Sequence, residues 1–425
     1  MIHTNRRYAA PVLAAALLAL GAGDAAAQGA IVRLPERDRP LTGTPAQVFA
    51  VGRAEGADHE MFGEIAGVAF DASDNLYVLD RRGFRVMVYD RSGRFLQQIG
   101  KQGQGPGELI APMQLAIAGD GTVIISDIGR GGYALFRPDG TFLRNVVMEG
   151  WMPAFGGGIG WHPRGGIVAT YRQPMERPGQ GSISRRENVL PLLFQPLAGG
   201  QPTRLYDIPS PVRIDQQSPG PGQVMVRMRP PPIFSPAVLF GVIPNGQMAL
   251  SFTPGYTVRI LDASGQTVRY LQRPMRPRLT TEADRQRARE NQRQTLASGR
   301  GMVRISIGGP GGGGGGGGGA RPGREGPSRQ QIEQMLQEME FADTIPALRG
   351  LRVTPSGKLW IERTGPVVGE PGPIDLVTPE GQYLGTITGS ALPDAISRSG
   401  LAAYVERDDD DVERVIVRRL PQSWR

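Results

Sequence analysis

The sequence is most restrictive in what it lacks. Its 425 residues contain no cysteine, three histidines and, in Lys101 and Lys358, two lysines. Without cysteine there can be no disulfide framework, no thiolate metal site and no lipid-bearing cysteine, so stability has to come from an ordinary apolar core. A chain of this length can build one. The histidines are His3, His59 and His162. If the first of these is removed with a leader, two remain, which argues against a three-histidine zinc centre and leaves no spare imidazole for a nucleophilic triad. There is no Gly-x-Ser-x-Gly elbow. The glycines from Gly103 to Gly107 are followed by no Lys-Ser/Thr and include Pro106, so they form a turn rather than a phosphate cradle.

Long apolar runs are also missing. The longest, Ala9 to Leu20, follows Arg6-Arg7 and precedes Ala25-Ala-Ala27-Gln28. It is too short to span a bilayer and has the layout of a secretory signal cleaved after Ala27. Arg6-Arg7 raises a twin-arginine address as the alternative, but Tyr8-Ala9-Ala10 stands where a bulky apolar pair is expected. The expected product is residues 28–425, periplasmic or secreted, with no transmembrane segment. The formal charge of +8 is unevenly placed. Between Arg269 and Arg329 thirteen arginines face four acids, and the rest of the mature chain is close to neutral. The basic stretch has Tyr270 as its one aromatic residue among the arginines, which speaks against single-stranded nucleic acid as a partner.

What the sequence does have is a repeat of about forty-five residues. Its clearest copy runs Gly67-Val-Ala-Phe-Asp71, Asn75-Leu-Tyr-Val-Leu-Asp80, Arg85-Val-Met-Val-Tyr-Asp90 and Gly93-Arg-Phe-Leu96. Four short strands joined by turns cannot cover their own two faces and need neighbours of the same kind, so a ring of such units is expected. First turns fall at Asp74-Asn75, Asp120-Gly121, Arg164-Gly165, Asn245-Gly246, Ser356-Gly357 and Ser399-Gly400. Six turns of the kind that two-residue hairpins use imply six blades. The sixth unit ends after Glu413-Arg-Val-Ile-Val-Arg-Arg-Leu420, its third strand. The apolar run Gln47-Val-Phe-Ala-Val51, which has no unit of its own, supplies the fourth and closes the ring. The fold class expected is therefore all-β: a six-bladed β-propeller closed by an N-terminal strand. Insertions are expected at about 172–235, read as Pro/Gly-rich loops, and at about 276–345. The second holds two helices around the glycine run Gly311 to Gly319. The apolar stripe of its second helix, Ile332, Met335, Leu336 and Met339, is expected to pack on the propeller.

The blade-one pattern, from Phe62-x-x-Ile65 through the connector Ile99-Gly-Lys-Gln-Gly103-Gln-Gly105-Pro-Gly107-Glu108-Leu109, resembles the NHL-repeat class of six-bladed propellers, in particular exported bacterial members. The resemblance extends over nearly the whole mature chain, with blades three and six departing most from the pattern. It implies a binding platform or, less often in that class, a metal-dependent lyase or lactonase. Fold alone does not choose between them.

Antiparallel connectivity places the loops between second and third strands on the same face as the connectors between blades. That groups Asp80, Arg81, Asp127, Tyr171, Arg172, Glu362, Arg363, Glu406 and Arg407 around one mouth of the central channel. Acid-arginine pairs at three of these positions present guanidinium forks suited to a carboxylate, phosphate or sugar acid. They equally suit bridges between blades. The leading expectation is an exported, monomeric, non-catalytic platform for a small molecule or protein segment, without a cofactor. The alternative is a calcium-assisted lactonase-like or lyase-like enzyme with Glu64 and Asp394 as ligands in the channel. The run Asp408 to Asp411 is expected to be a solvated hairpin tip unless it holds an ion.

Overall fold

The computed structural model describes residues 29–153, 158–172, 189–210, 213–220, 223–297 and 328–425. The proposed leader and the glycine run lie outside them. Six radial sheets surround an axis. Blade one is Ile65–Phe70, Leu76–Asp80, Arg85–Tyr89 and Phe95–Ile99, and each strand pairs antiparallel with the next. The innermost strands of the following blades are Pro112–Ile117, Ile159–His162, Leu239–Val242, Leu348–Val353 and Ala395–Ile396.

Each second strand shows why the ring is needed. Leu76–Asp80 is buried at every position, because alternate side chains serve opposite neighbours. Leu76 and Val78 join a cluster with Val415 and Val417 of blade six, while Tyr77 and Leu79 join one with Val123 and Ile125 of blade two. Each remaining pair of adjacent blades shares a cluster of its own. A fully buried large apolar side chain is worth ~1.5–3 kcal/mol over an exposed one, so a blade missing one neighbour would forfeit several such terms.

The ring closes as expected. Ala46–Val51 pairs antiparallel with Glu413–Arg419, with Val51 opposite Val415 and Phe49 opposite Val417. The chain before it was not anticipated. Ala30–Arg33 adds a parallel fifth strand to blade four, Pro40 bridges Thr386 on the outer strand of blade five, and Ala46–Val51 then edges blade six. Residues 30–51 therefore strap three successive blades along their outer edges.

The turns are built differently from two-residue hairpins. In blade one Asp74 N–H donates to Asp71 O and Asp71 N–H to Asn75 O, with Asp74 at φ 63°. That is a three-residue loop with a single left-handed residue. The Asp71 carboxylate fixes it by accepting from the N–H groups of Ser73 and Asn75 at 2.8 and 2.9 Å. Asp90 and Asp262 repeat the device. So does Asp408, which accepts from Asp410 and Val412 at 3.2 and 3.0 Å while Asp411 takes the left-handed position at φ 65°. The four-aspartate run is thus a hairpin tip of the common kind, with Arg407 and Arg414 beside it.

Between blades four and five, helices α1 (Glu282–Ala297) and α2 (Arg329–Gln337) rise from a short ribbon of Arg278–Leu279 paired with Thr344–Ile345. Ser328 and Gln331 form the expected capping box of α2. The apolar stripe, however, packs against Leu296 of α1 through Ile332, Leu336 and Met339, and Met335 stays 47% exposed. The one-sided α2 finds its cover in the end of α1, at Leu296. The stretch 172–235 holds both outer strands of blade three, Val189–Pro196 and Thr203–Pro209. It also holds a separate hairpin, Arg213–Gly220 with Gln223–Arg229, whose alternating Val224, Val226 and Met228 the Pro-Gly pairs obscure. Among the described residues no helix is long and apolar enough to cross a membrane.

His162 is fully buried between blades three and four. Its Nε2 bonds Gly246 O at 2.8 Å and Nδ1 accepts from Arg164 N–H at 3.2 Å. Burial lowers its pKa despite the bond to Gly246. The unfolded chain, with an ordinary imidazole near ~6.5, therefore takes up a proton more readily. The stability due to neutral His162 is complete above that value and is lost as pH falls through the lowered folded pKa. Urea denaturation from pH 7.5 to 5 should show this loss in the native protein, and H162Q should remove that component of the slope.

Candidate functional site

The face carrying the second-to-third-strand loops is held by acids that end the second strands. Asp80 is buried, and its Oδ1 accepts from the N–H groups of Gly63, Glu64 and Gly83 at 3.0–3.2 Å, while Arg85 Nε approaches Oδ2 at 3.3 Å. Asp127 repeats this in blade two, accepting from Ile110, Ala111 and Gly129 beside Arg130. Each aspartate pins the incoming connector to its own blade. Arg85 and Arg130 complete the clamp by donating to connector carbonyls, Met61 in one case and Gly105 and Glu108 in the other. In blade five Arg363 stands at the corresponding strand end, opposite Leu348 as Asp80 is opposite Ile65, and the neighbouring Glu362 accepts from Gly372 N–H of its own loop at 3.2 Å.

A second cluster ties the N-terminal strap to blades four and five. Arg363 is bidentate on Asp38 at 3.1 and 2.8 Å. Arg273 donates to Asp38 at 2.6 Å, to Asp375 at 2.8 Å and to Pro35 O at 2.7 Å. The Arg273 and Asp375 side chains are wholly buried, and Thr386 Oγ1 completes the carboxylate at 2.6 Å. Burial opposes ionisation of Asp38, but the bonds from Arg363 and Arg273 outweigh it and hold its carboxyl below the ordinary range. Sequence reading misses Arg273, Asp38 and Asp375, which lie 102 or more positions from their partners. The hint available was the isolated acidic segment Glu36-Arg37-Asp38 ahead of the closing strand.

The other expected residues fall in separate places. Tyr171 is buried, with its hydroxyl against that of Tyr133. Arg172 ends the same strand half-buried, and burial lowers its pKa. Glu406 pairs with Arg418 at 2.8 Å. Arg407 donates to Glu413 at 2.6 Å. Arg81 donates to Glu64, which Arg82 also reaches at 3.2 Å. Glu64 borders the cavity between blades six and one, whereas Asp394 lines the central channel. The two carboxylates proposed for calcium each have a guanidinium partner, Arg81 for Glu64 and Arg352 for Asp394; a cation would have to compete with it.

Two cavities open among these groups. One of about 380 Å³ lies between blades six and one on the loop face, bordered by Arg53, Glu64, Arg82, Arg407, Asp411 and Glu413. The other, of about 640 Å³, is the central channel. Its walls are the free edges of the innermost strands, each of which is paired on one side. Glycines let those strands approach: a Cβ on Gly160 would lie 2.6 Å from Val242 Cγ2, and one on Gly241 2.5 Å from Val353 Cγ2.

Residues 55–130, which include all of blade one, match the DUF5128 family model, described as a 6-bladed beta-propeller. The chain is a six-bladed β-propeller. The match falls on the segment that carries the NHL-like pattern. Over 109 residues the propeller is 29% identical to Protein brain tumor of Drosophila melanogaster, covering 25% of this chain and 10% of that protein; the chain spans about a tenth of that relative's length. Among solved structures it is similar to a DUF4221 family member from Bacteroides vulgatus, at 8% identity and TM-score 0.50 over 88% of this chain and 98% of that one. It is also similar to the calcium-binding protein regucalcin from Agrobacterium tumefaciens, at 11% identity and TM-score 0.36 over 92% and 98% of the two chains. At such identities the likeness concerns the fold alone.

Removing Arg273 from the propeller would leave the buried Asp375 with Arg363 at 3.7 Å as its remaining cation, a loss approaching the ~3–5 kcal/mol of a broken buried pair. R273M should therefore lower the urea midpoint sharply, while D38N, which leaves the Arg273–Asp375 pair in place, should cost less. Equal losses in the two variants would show that the strap contact, rather than the buried pair, carries the stability.

Proposed function

We propose that the protein is an exported, non-catalytic propeller that binds a carboxylate-bearing ligand or protein segment on its loop face, at the cavity between blades six and one. The observation that carries this reading is the pair of exposed guanidiniums at its rim. The Arg53 and Arg82 side chains are 68% and 61% exposed. Each meets its acid through Nε, at 3.6 Å from Glu60 and 3.2 Å from Glu64. The terminal nitrogens of each fork are the part that grips a carboxylate bidentately. The other arginines of the face serve differently. Arg81 and Arg407 orient Glu64 and Glu413 along the wall of the cavity, and Asp80, Asp127, Glu362 and Arg363 hold the loops that form the face. Arg172 and Glu406 belong to the same face by topology and extend it toward blades three and six, while the buried Tyr171 supports it from beneath. A rigid scaffold presenting polar loops is a common basis for recognition.

A hexaglutamate peptide serves as probe. Calorimetric titration at low ionic strength should show saturable binding that weakens with added salt. R53A/R82A should weaken it at least tenfold, since a charge-assisted hydrogen bond contributes about 1.5–3 kcal/mol. Unchanged affinity in the double variant would remove this face from the reading.

A further inference from the structure

The channel holds a second pair of charges that the loop face does not use. Arg352 is on the innermost strand of blade five, and Asp394 immediately precedes that of blade six. Both line the channel, with side chains 43% and 40% exposed to it. Their nearest approach, Nη2 to Oδ1, is 3.8 Å, which is beyond hydrogen-bond length. Arg352 Nη1 donates instead to Leu351 O at 3.1 Å, and Asp394 Oδ2 accepts from Val405 N–H at 2.8 Å. Each group is thus anchored on one side while its hydrogen-bonding capacity toward the channel is incompletely used: a guanidinium has five N–H donors and a carboxylate about four acceptor sites. Burial raises the Asp394 pKa in spite of the Val405 bond and the nearby Arg352.

The surrounding wall is mixed: Met113, Ile159, Trp161, Phe240 and Val242 supply apolar surface, beside Gln114 and the strand backbone at Gly67, Gly160 and Gly241. Apolar side chains beside a few convergent polar groups suit a small-molecule site, and the volume of about 640 Å³ is in the usual range. The signs of the two charges define the occupant. A simple anion would pair with Arg352 and be repelled by Asp394, and a simple cation would meet the reverse. A molecule carrying both charges satisfies both groups without adding net charge to a partly desolvated site.

We propose that the central channel binds a small zwitterion with an apolar side group, an α-amino acid or short peptide, through its carboxylate on Arg352 and its ammonium on Asp394. The charged ends of an α-amino acid sit one carbon apart, so one molecule can reach both side chains, while its side group lies against the apolar side chains of the wall, such as Ile159 and Phe240. This site is separate from the loop-face cavity and does not depend on the reading of that face.

The test uses the full mature chain and four probes: L-leucine, leucyl-leucine, leucinamide, which lacks the carboxylate, and N-acetyl-leucine, which lacks the ammonium. Calorimetry should show saturable binding of leucine or leucyl-leucine, with both capped compounds at least tenfold weaker. R352M should abolish the preference for leucine over leucinamide, and D394N the preference over N-acetyl-leucine. Failure of all four probes to bind, or capped compounds binding as well as leucine, would overturn the proposal, and the series on the native chain decides this even if a variant does not fold. Because hexaglutamate reports on the loop face and leucine on the channel, either reading can fail alone.

Discussion

Everything in this structure depends on covering both faces of each blade. A four-stranded sheet of apolar residues in this chain has no second layer of its own, and alternation along each strand sends half its side chains to one neighbour and half to the other. The clusters between blades are therefore the core, and they exist only when the sheets form a closed ring. Closure falls to Ala46–Val51, which covers the last outer edge of blade six and adds Val51 to the cluster shared with blade one. Pairing that edge also removes a template for association with other chains.

Polar groups act as fasteners on this frame. Aspartates at the ends of second strands hold connectors, aspartates at hairpins hold turns, and the Arg273–Asp375–Arg363–Asp38 cluster holds the strap. Such buried ionic groups are costly to desolvate, and their value lies in fixing one arrangement of the loops when every charge is matched. The same economy explains why so many acids and arginines on the loop face have partners within the fold. Arg53 and Arg82 at the rim, and Arg352 with Asp394 in the channel, are held by longer contacts of 3.2–3.8 Å.

The strap gives the N-terminal segment a role beyond closure. By adding a parallel strand to blade four, touching blade five and pairing with blade six, residues 30–51 join three blades, the first two of which are otherwise linked through the long helical insertion. The connector from blade four to blade five is the longest in the chain, so a second, hydrogen-bonded link across that boundary compensates for the slack a long connection introduces.

The sequence by itself determined the number of blades, the closing strand and the positions of the turns. These follow from period-two alternation and from residues such as Asp74, Gly121 and Gly400 that must take positive φ, and both signals act within a few residues. It also grouped Asp80, Asp127 and Glu362 on one face, because strand connectivity alternates. Tertiary structure alone decided what those groups touch. Arg363 could be read as a surface fork until Asp38, 325 residues away, proved to be its partner. The stripe of Ile332 and Leu336 could equally have met the propeller or a second helix, and Arg352 gave no sign of standing beside Asp394. Pairings between distant positions depend on how blades sit against one another, and no local periodicity encodes that geometry.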